Sequence, residues 1–545
     1  MSMSNFKHIF RHKTAWIILL IMALALALRL YNLYKYDLWF DEVISNLHSH
    51  EILDKLASKS GKSVPQILFE DQRSDPQPFL YYLLIYLCSF FLKIGRALRL
   101  ISVVFSMLSL FVFYKLGRLV YGRQTGIAAL LLMAVNPFHL WYAQEMRVYA
   151  ASCFFVLLAV FFFVKILTEE KKIYWLYFFI SGLFAIFTNY YSLFLFVAAF
   201  FFLLLKKDLI VAGKFLLFIV AVFLFFLPLS HLVLQQMHIV KNLFWLRPPE
   251  FGTLFMSFAV FGSGYSADHI PLIIGTSLLA ALFVYGVYRS LKENNELTFF
   301  LLLSFFLPII IIFMISRAII PIYIDRQFIV ITPFYYLFIA HGISGLRNVK
   351  LKLFICLGLT ILMASLLINY YNGFMISRPS KYDFYTGVHQ KKQYGPLIDY
   401  LYANLNEEDI VAATDIQSYM LALKVRRKLR SPKSYGLLFY PKTMVSVERT
   451  AFGSELREFL KTSRGSNTEG YMHMVSVDFG RIIIEREPLI NKDIKRIWLI
   501  TSFWDKAGFS PVNNSYKAIR NSLLGYRCKE SKNKDGLILE EFEKE

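Results

Sequence analysis

Leu38-Trp39-Phe40-Asp41-Glu42 sets two adjacent carboxylates just past the first long apolar run of the chain. A charge at membrane depth costs about 2.5–3.5 kcal/mol per residue on insertion scales, so such a pair calls for a use. Flanked by Trp39 and Phe40 rather than by Lys or Arg, Asp41 and Glu42 read as catalytic carboxylates held at a membrane surface. There an acid or base can meet a lipid-borne and a soluble substrate together. Read as structure alone, the pair caps the helix that follows, since acids are favourable in a first turn. That accounts for Glu42 better than for Asp41.

A second constellation runs from Asn136 to Tyr149, where Tyr142, Gln144, Glu145 and Arg147 gather behind a helix-breaking Pro137. Its plain reading is an interfacial aromatic belt with a surface Glu145–Arg147 pair of little energetic consequence. Its chemical reading puts Arg147 on a phosphate, with Glu145 orienting Arg147 or a sugar hydroxyl. Asp75-Pro76-Gln77-Pro78 leads into Tyr81 and Tyr82, which are either belt residues or pocket lining. Tyr323-Ile324-Asp325-Arg326 offers one more cation, Arg326, which either pairs with Asp325 or caps a lipid phosphate. His139, His231, His238 and His269 lack the i,i+4 spacing of a helical metal pair, so no essential metal is expected, though a divalent ion is left open. No phosphate-cradling glycine loop follows a strand, so no nucleotide or other cofactor is expected and the substrate must carry its own activation.

The elements that hold these residues are read from apolar runs. The 545-residue chain is 57% hydrophobic, and the length of its runs marks a polytopic α-helical membrane protein. About eleven spans are expected, at roughly 14–32, 98–117, 125–142, 148–167, 173–190, 191–206, 214–234, 270–289, 297–316, 327–346 and 353–371. The first is longer than a signal-peptide core and lacks a small-residue cleavage site, so it reads as an uncleaved anchor. The net charge of +21 resides largely in short loops, where it sets orientation, so nucleic acid is not an expected partner. Clusters such as Lys115/Arg118/Arg123 and Arg347/Lys350/Lys352 then face the cytoplasm. Asp41, Glu145, the loop 235–268 and everything after about residue 370 fall outside. Residues 79–94 fit this scheme only as an interfacial or re-entrant helix within an external loop, 33–97.

Composition changes after Tyr371. Residues 1–371 form the expected membrane domain, and 372–545 a soluble extracytoplasmic α/β domain. In the latter, Leu397–Leu405 reads as helix, and Ile410–Ala413 and Arg496–Thr501 read as strands. Cys88, Cys153, Cys356 and Cys528 are too scattered for a metal site or a disulfide framework.

Taken in order, the motifs carry a resemblance. Leu38–Glu42, Pro76-Gln77-Pro78-Phe79-Leu80-Tyr81-Tyr82, Ala97-Leu98-Arg99-Leu100, Asn136–Tyr149, Thr188-Asn189-Tyr190-Tyr191-Ser192 and Arg326 resemble the bacterial polyprenyl-phosphate-sugar glycosyltransferases of GT-C fold. That superfamily includes protein O-mannosyltransferases and lipid A aminoarabinose transferases. The resemblance covers about residues 1–345. It implies a multi-pass enzyme of the cytoplasmic (inner) membrane, N-terminus inside, moving a sugar from a polyprenyl-phosphate carrier to an acceptor hydroxyl outside, with inversion. The acceptor is a glycan, a lipid or a protein. Asp41 would be the general base, and Glu145 and Arg147 would shape the donor site. Many relatives carry His-Pro-Pro where this chain has Gln77-Pro78-Phe79, so no role of that histidine transfers here. The rival readings are a transporter or lipid flippase and, among enzymes, a lipid-linked glycan polymerase or ligase. Transporters bury their charges near the midplane, whereas here they gather at external helix ends.

Overall fold

The computed structural model describes residues 3–46, 48–49, 53–54, 58, 61–71, 77–92, 95–169, 171–227, 230, 234, 236–237, 248–267, 269–293 and 295–374 of the helical part. In the C-terminal part it describes 394–413, 435–439, 473–478, 481–485, 495–502, 526–534 and 537–545. Asp75, Pro76, His231 and His238 lie outside the described residues.

Among the described residues each of the eleven expected runs contains helix, but not each is long enough to cross a membrane. Among the described residues, six helices are long and apolar enough to cross a membrane: Lys13–Leu30, Arg96–Tyr121, Tyr149–Glu169, Ile270–Lys292, Leu297–Ala318 and Val349–Tyr371. A seventh crossing is made if Arg123–Val135 and Pro137–Ala143, bent by 62°, count as one. Four apolar helices are shorter: Ile173–Thr188, Ser192–Leu205, Leu209–Phe225 and Phe251–Ser263. The chain is an integral membrane protein, and its helices show it twice over. Large apolar side chains such as Ile210, Leu217, Phe255 and Phe354 stand exposed on outer faces, as lipid contact requires.

Two helices form the centre. Arg99–Tyr121 and Tyr149–Glu169 pack on each other and bury most of their length. Ile173–Thr188 packs along the second, and Arg123–Val135 returns along the first after a turn at Gly122. His269–Lys292 and Thr332–Gly345 approach so closely that a Cβ on Gly286 would meet the Phe338 carbonyl oxygen at 1.9 Å. Small residues make this contact because backbone approach, not apolarity, drives helix pairing in lipid.

Two expectations need correction. The loop 235–268 contains the helix Phe251–Ser263, which buries Thr253, Ser257 and Val260 in the bundle. At 13 residues it is too short to cross, so a search by span length passes over it. The tenth run does not begin as α-helix. It opens with a 3-10 turn, Asp325–Val330, and continues as Thr332–Gly345, with Pro333 in its first turn. The segment 79–94 holds the helix Leu80–Cys88, whose nine residues extend only about 13 Å.

Among the described residues, the C-terminal part carries the helix Gly395–Asn404 and seven strands. They are β1 (Ile410–Ala413), β2 (Tyr435–Phe439), β3 (His473–Asp478), β4 (Arg481–Glu485), β5 (Arg496–Ser502), β6 (Tyr526–Lys534) and β7 (Leu537–Lys544). They form one mixed sheet in the order β4-β3-β2-β1-β5-β7-β6, with β1 parallel to β2 and β5 and the outer pairs antiparallel. The two parallel pairings need crossovers, which fits an α/β layer arrangement. Asp409, just ahead of β1, is gripped by both Nε and Nη2 of Arg496 and by the indole N–H of Trp498 at 3.0 Å. That network fixes where β1 meets β5.

Candidate active site

Three segments converge at one end of the central helices: the turn around Asp41, the break at 144–149 and the 3-10 turn at 325–330. Each is held in place by interactions that local sequence does not reveal.

The first is secured by Arg99, at the start of a spanning helix. Its Nε and Nη2 donate to the two oxygens of Glu42 at 2.7 and 2.6 Å. The remaining N–H groups donate to the carbonyls of Leu33 (2.8 Å), Tyr36 (3.0 Å) and Asp37 (3.0 Å). A guanidinium has five donors in a rigid fork, and here all five are used on residues 33–42. Glu42 in turn accepts from the backbone N–H of Met146 at 2.9 Å and of Trp39 at 3.4 Å. Glu42 is fully buried, whereas the Asp41 side chain is 17% exposed. Glu42, read from the sequence as catalytic beside Asp41, thus has its oxygens bonded to Arg99 and two backbone amides. Arg99 stood in a quoted motif without a role; a cation opening an apolar helix was the available signal.

The second segment begins at a helix break. Asn136 accepts from the N–H of Phe138 (2.9 Å) and of His139 (3.2 Å), capping the short helix Pro137–Ala143. Its amide donates to the carbonyls of Phe261 and Gly262 at 3.1 and 3.0 Å. The break diverts the Phe138 amide from Ala134, whose carbonyl accepts instead from Arg29 at 3.0 Å. Gly264, at φ +67°, lies so near Pro137 that a Cβ would sit 2.8 Å from the proline Cβ. His139 is buried and bonds Thr332 Oγ1 at 2.8 Å.

Gln144 and Tyr142, both expected at a donor site, are bonded to other parts of the fold. The Gln144 amide donates to the carbonyls of Leu28, Arg29 and Tyr31 at 3.3, 2.9 and 2.8 Å, closing the end of the first helix. Its oxygen accepts from the Tyr370 hydroxyl at 2.5 Å. Both ends are thus committed to structure. Tyr142 is buried against Tyr265, hydroxyl to hydroxyl at 2.7 Å. Tyr81 and Tyr82 are also fully buried. Tyr81 meets Ser102 at 3.3 Å, and Ser102 reaches the Arg147 carbonyl at 3.5 Å, so Tyr81 props the second segment from behind. Burial pushes the Tyr81 phenol pKa upward, which keeps it a neutral hydrogen-bonding group. Tyr82 stacks on His48 with ring centroids 4.0 Å apart.

Arg147 and Arg326 do come together, on Asp41. Arg326 Nη1 donates to Asp41 Oδ2 at 2.9 Å, and Arg147 Nε lies 3.9 Å from the same oxygen. Arg147 Nη1 also donates to the Asp41 carbonyl and to Ser45 Oγ, both at 3.1 Å. The Arg326 guanidinium stands 5.9 Å from the Trp39 ring and 5.8 Å from that of Tyr149, within cation–π range. Burial opposes its charge, but Tyr149 and Asp41 outweigh that, holding its pKa above the ordinary value. Arg326 does not pair with Asp325. That carboxylate is buried and accepts from Ser257, whose hydroxyl also receives Tyr323 at 3.0 Å. Gln327 accepts from Asn189 Nδ2 at 2.7 Å, tying the 3-10 turn to the end of the helix Ile173–Thr188. The turn is pinned on both sides of Arg326, which aims it at Asp41.

Glu145 is buried within the same group and interacts electrostatically with Arg99. Three carboxylates and three guanidiniums thus share one region, and Asp41 alone of the acids is partly open to solvent. Among the described residues no three His, Cys, Asp or Glu side chains cluster as a metal site.

A family model described as dolichyl-phosphate-mannose-protein mannosyltransferase matches residues 75–232, less than half of the chain. No curated protein matches the sequence. Among solved structures, ArnT from Cupriavidus metallidurans in the apo state is similar at a TM-score of 0.59 and 12% identity, with 97% of this chain and 98% of that one covered. The same protein bound to undecaprenyl phosphate aligns at a TM-score of 0.54 and 13% identity, over 97% and 98% of the two chains. Identity this low speaks to fold, and the fold extends over nearly the whole chain. Residues 75–232 thus match a mannosyltransferase family model, and nearly the whole chain shares the GT-C fold of ArnT.

Proposed function

We propose that this protein transfers a sugar from a polyprenyl-phosphate carrier to an acceptor hydroxyl on the outer face of the cytoplasmic membrane. The observation that carries the reading is one partly open carboxylate, Asp41, flanked by the guanidiniums of Arg326 and Arg147. The similar ArnT was crystallised with undecaprenyl phosphate, a carrier of that chemical class, which supports the donor assignment. Residues 1–371 form the membrane domain with the N-terminus inside, and 372–545 the external domain.

The reaction follows from the charges. The acceptor hydroxyl gives its proton to Asp41 as its oxygen attacks the anomeric carbon from the face opposite the phosphate, which inverts that centre. The bond from the anomeric carbon to the phosphate oxygen breaks, and its electron pair leaves with the polyprenyl phosphate. Arg147 and Arg326 stabilise the charge that builds on the phosphate oxygens. The protonated Asp41 returns its proton to water. A phosphate leaving group is already a stabilised anion, so the reaction requires neither nucleotide nor cofactor. Glu145, buried beside the arginines, orients them.

Asp41→Asn is the decisive variant. A deletion strain is complemented with wild type or variant, and cell-envelope glycolipids and glycoproteins are compared by mass spectrometry. The product lost on deletion returns with wild type and falls about 10²–10⁴-fold with Asp41→Asn, the usual contribution of a general base. A normally inserted Asp41→Asn protein that restores the product refutes the role. So does a topology map that puts Asp41 in the cytosol.

A further inference from the structure

The turn that carries Asp41 is held from two sides, and one of them is the C-terminal domain. Asp37 Oδ2 accepts from two consecutive backbone amides, Tyr394 N–H at 2.8 Å and Gly395 N–H at 2.9 Å. These lie at the N-terminus of the helix Gly395–Asn404, where amides have no partner within the helix. On its other side, the Asp37 carbonyl accepts from Arg99 Nη2 at 3.0 Å, and the same guanidinium fork holds Glu42. Asp41 sits between those two fixed points.

The external helix is itself anchored. Leu397, Ile398 and Leu401 are buried, and the Asn404 carbonyl accepts from Arg496 Nη2 at 2.8 Å. Arg496 also clamps Asp409 at the start of β1. A continuous set of hydrogen bonds therefore runs from the β1–β5 pair through the helix to Asp37. Two further ties accompany it: Lys35 donates to the Tyr371 carbonyl at 3.1 Å, and Gly373 comes so close to Tyr36 that a Cβ would lie 3.0 Å from its hydroxyl.

We propose that Asp37 is a positioning residue through which the C-terminal domain sets the geometry of Asp41, making that domain part of the transfer machinery rather than a cover over it. The proposal rests on the reading of Asp41 as the base. Asp37 itself touches no reacting atom. Its carboxylate ties residues 37–42 to the external helix, so its removal lets the base drift while the turn that carries Arg326 keeps its own tie from Gln327 to Asn189. A displacement of about 1 Å at a catalytic group costs on the order of 10²-fold in rate.

The test uses the full-length protein with Asp37→Ala and Asp37→Asn. Three quantities are read: the complementation product by mass spectrometry, the affinity of purified protein for undecaprenyl phosphate, and amide hydrogen exchange. Asp37→Ala is expected to lower product about 10–100-fold, leave undecaprenyl phosphate affinity unchanged, and speed exchange at 394–398 and at 38–42 together. Asp37→Asn keeps one acceptor oxygen and restores part of the product. Full product with Asp37→Ala overturns the proposal, as does faster exchange confined to 394–398. Loss of undecaprenyl phosphate affinity in step with product also overturns it, because that marks general disruption. Asp41→Asn is run alongside: if it makes product, the base assignment fails, while the joint exchange response still reports on the Asp37 link by itself.

Discussion

Glu42→Gln isolates the part of this site that is scaffold. Glu42 Oε1 accepts from Arg99 Nε and Met146 N–H, and Oε2 accepts from Arg99 Nη2 and Trp39 N–H. Glutamine has the same shape but exchanges one acceptor oxygen for an NH2 group. Whichever way the amide turns, two N–H donors then face another donor instead of an acceptor. The Arg99 charge also loses its counter-ion at a site where its side chain is only 3% exposed. Breaking a buried pair by removing one partner costs about 3–5 kcal/mol, against about 0–1 kcal/mol for an exposed pair. The loop 33–42 and the 145–147 break share this carboxylate, so both should loosen. Equilibrium unfolding in detergent, with limited proteolysis of the loop after the first helix, is the assay. The expected result is a loss of about 3–5 kcal/mol and early cleavage of the loop. Asp41→Asn should lose far less stability, because its side chain is partly exposed and Arg326 keeps its Trp39 and Tyr149 rings. If Glu42→Gln unfolds like wild type and yet makes no product, the assignment is reversed and Glu42, not Asp41, carries the chemistry.

Other consequences follow from the same contacts. Arg147→Ala and Arg326→Ala should each weaken undecaprenyl phosphate binding by about 10–100-fold, the equivalent of a charge-assisted hydrogen bond of about 1.5–3 kcal/mol; unchanged affinity in both, read by titration, removes them from the donor site. Asn189→Ala takes away the bond to Gln327 that steadies the Arg326 turn, so it should weaken the same binding less than Arg326→Ala does. An effect as large as that of Arg326→Ala would mean that Asn189 meets the lipid directly. Gly264→Ala combines a positive φ with a collision at Pro137, and should cost at least about 1 kcal/mol of stability; a neutral result in thermal unfolding would show that the contact yields readily.

Much of the architecture was legible in the chain because it depends on properties that travel with local sequence. Apolar run length marked every long span, and basic clusters suggested orientation, since both reflect transfer from water to hydrocarbon residue by residue. The same logic picked out Asp41, Arg147 and Arg326, charges whose place beside apolar helices needed a reason. The helix Gly395–Asn404 and strands β1 and β5 were also readable, from their periodicity. Partners were not. Glu42 and Arg99 lie 57 residues apart, Asp41 and Arg326 lie 285 apart, and Tyr394 binds Asp37 from 357 residues away. Two adjacent carboxylates look alike in a sequence; only packing buries one under a guanidinium and leaves its neighbour open. The partners of Gln144 and Tyr142 were hidden for the same reason, as residue type says what a side chain can bond and not which distant group will reach it first. Sequence thus determined the helices and the inventory of reactive groups, through local solvation. Tertiary structure alone decided which of those groups are buried and bonded and which stay partly open, because hydrogen-bond saturation and burial are properties of the folded assembly of segments.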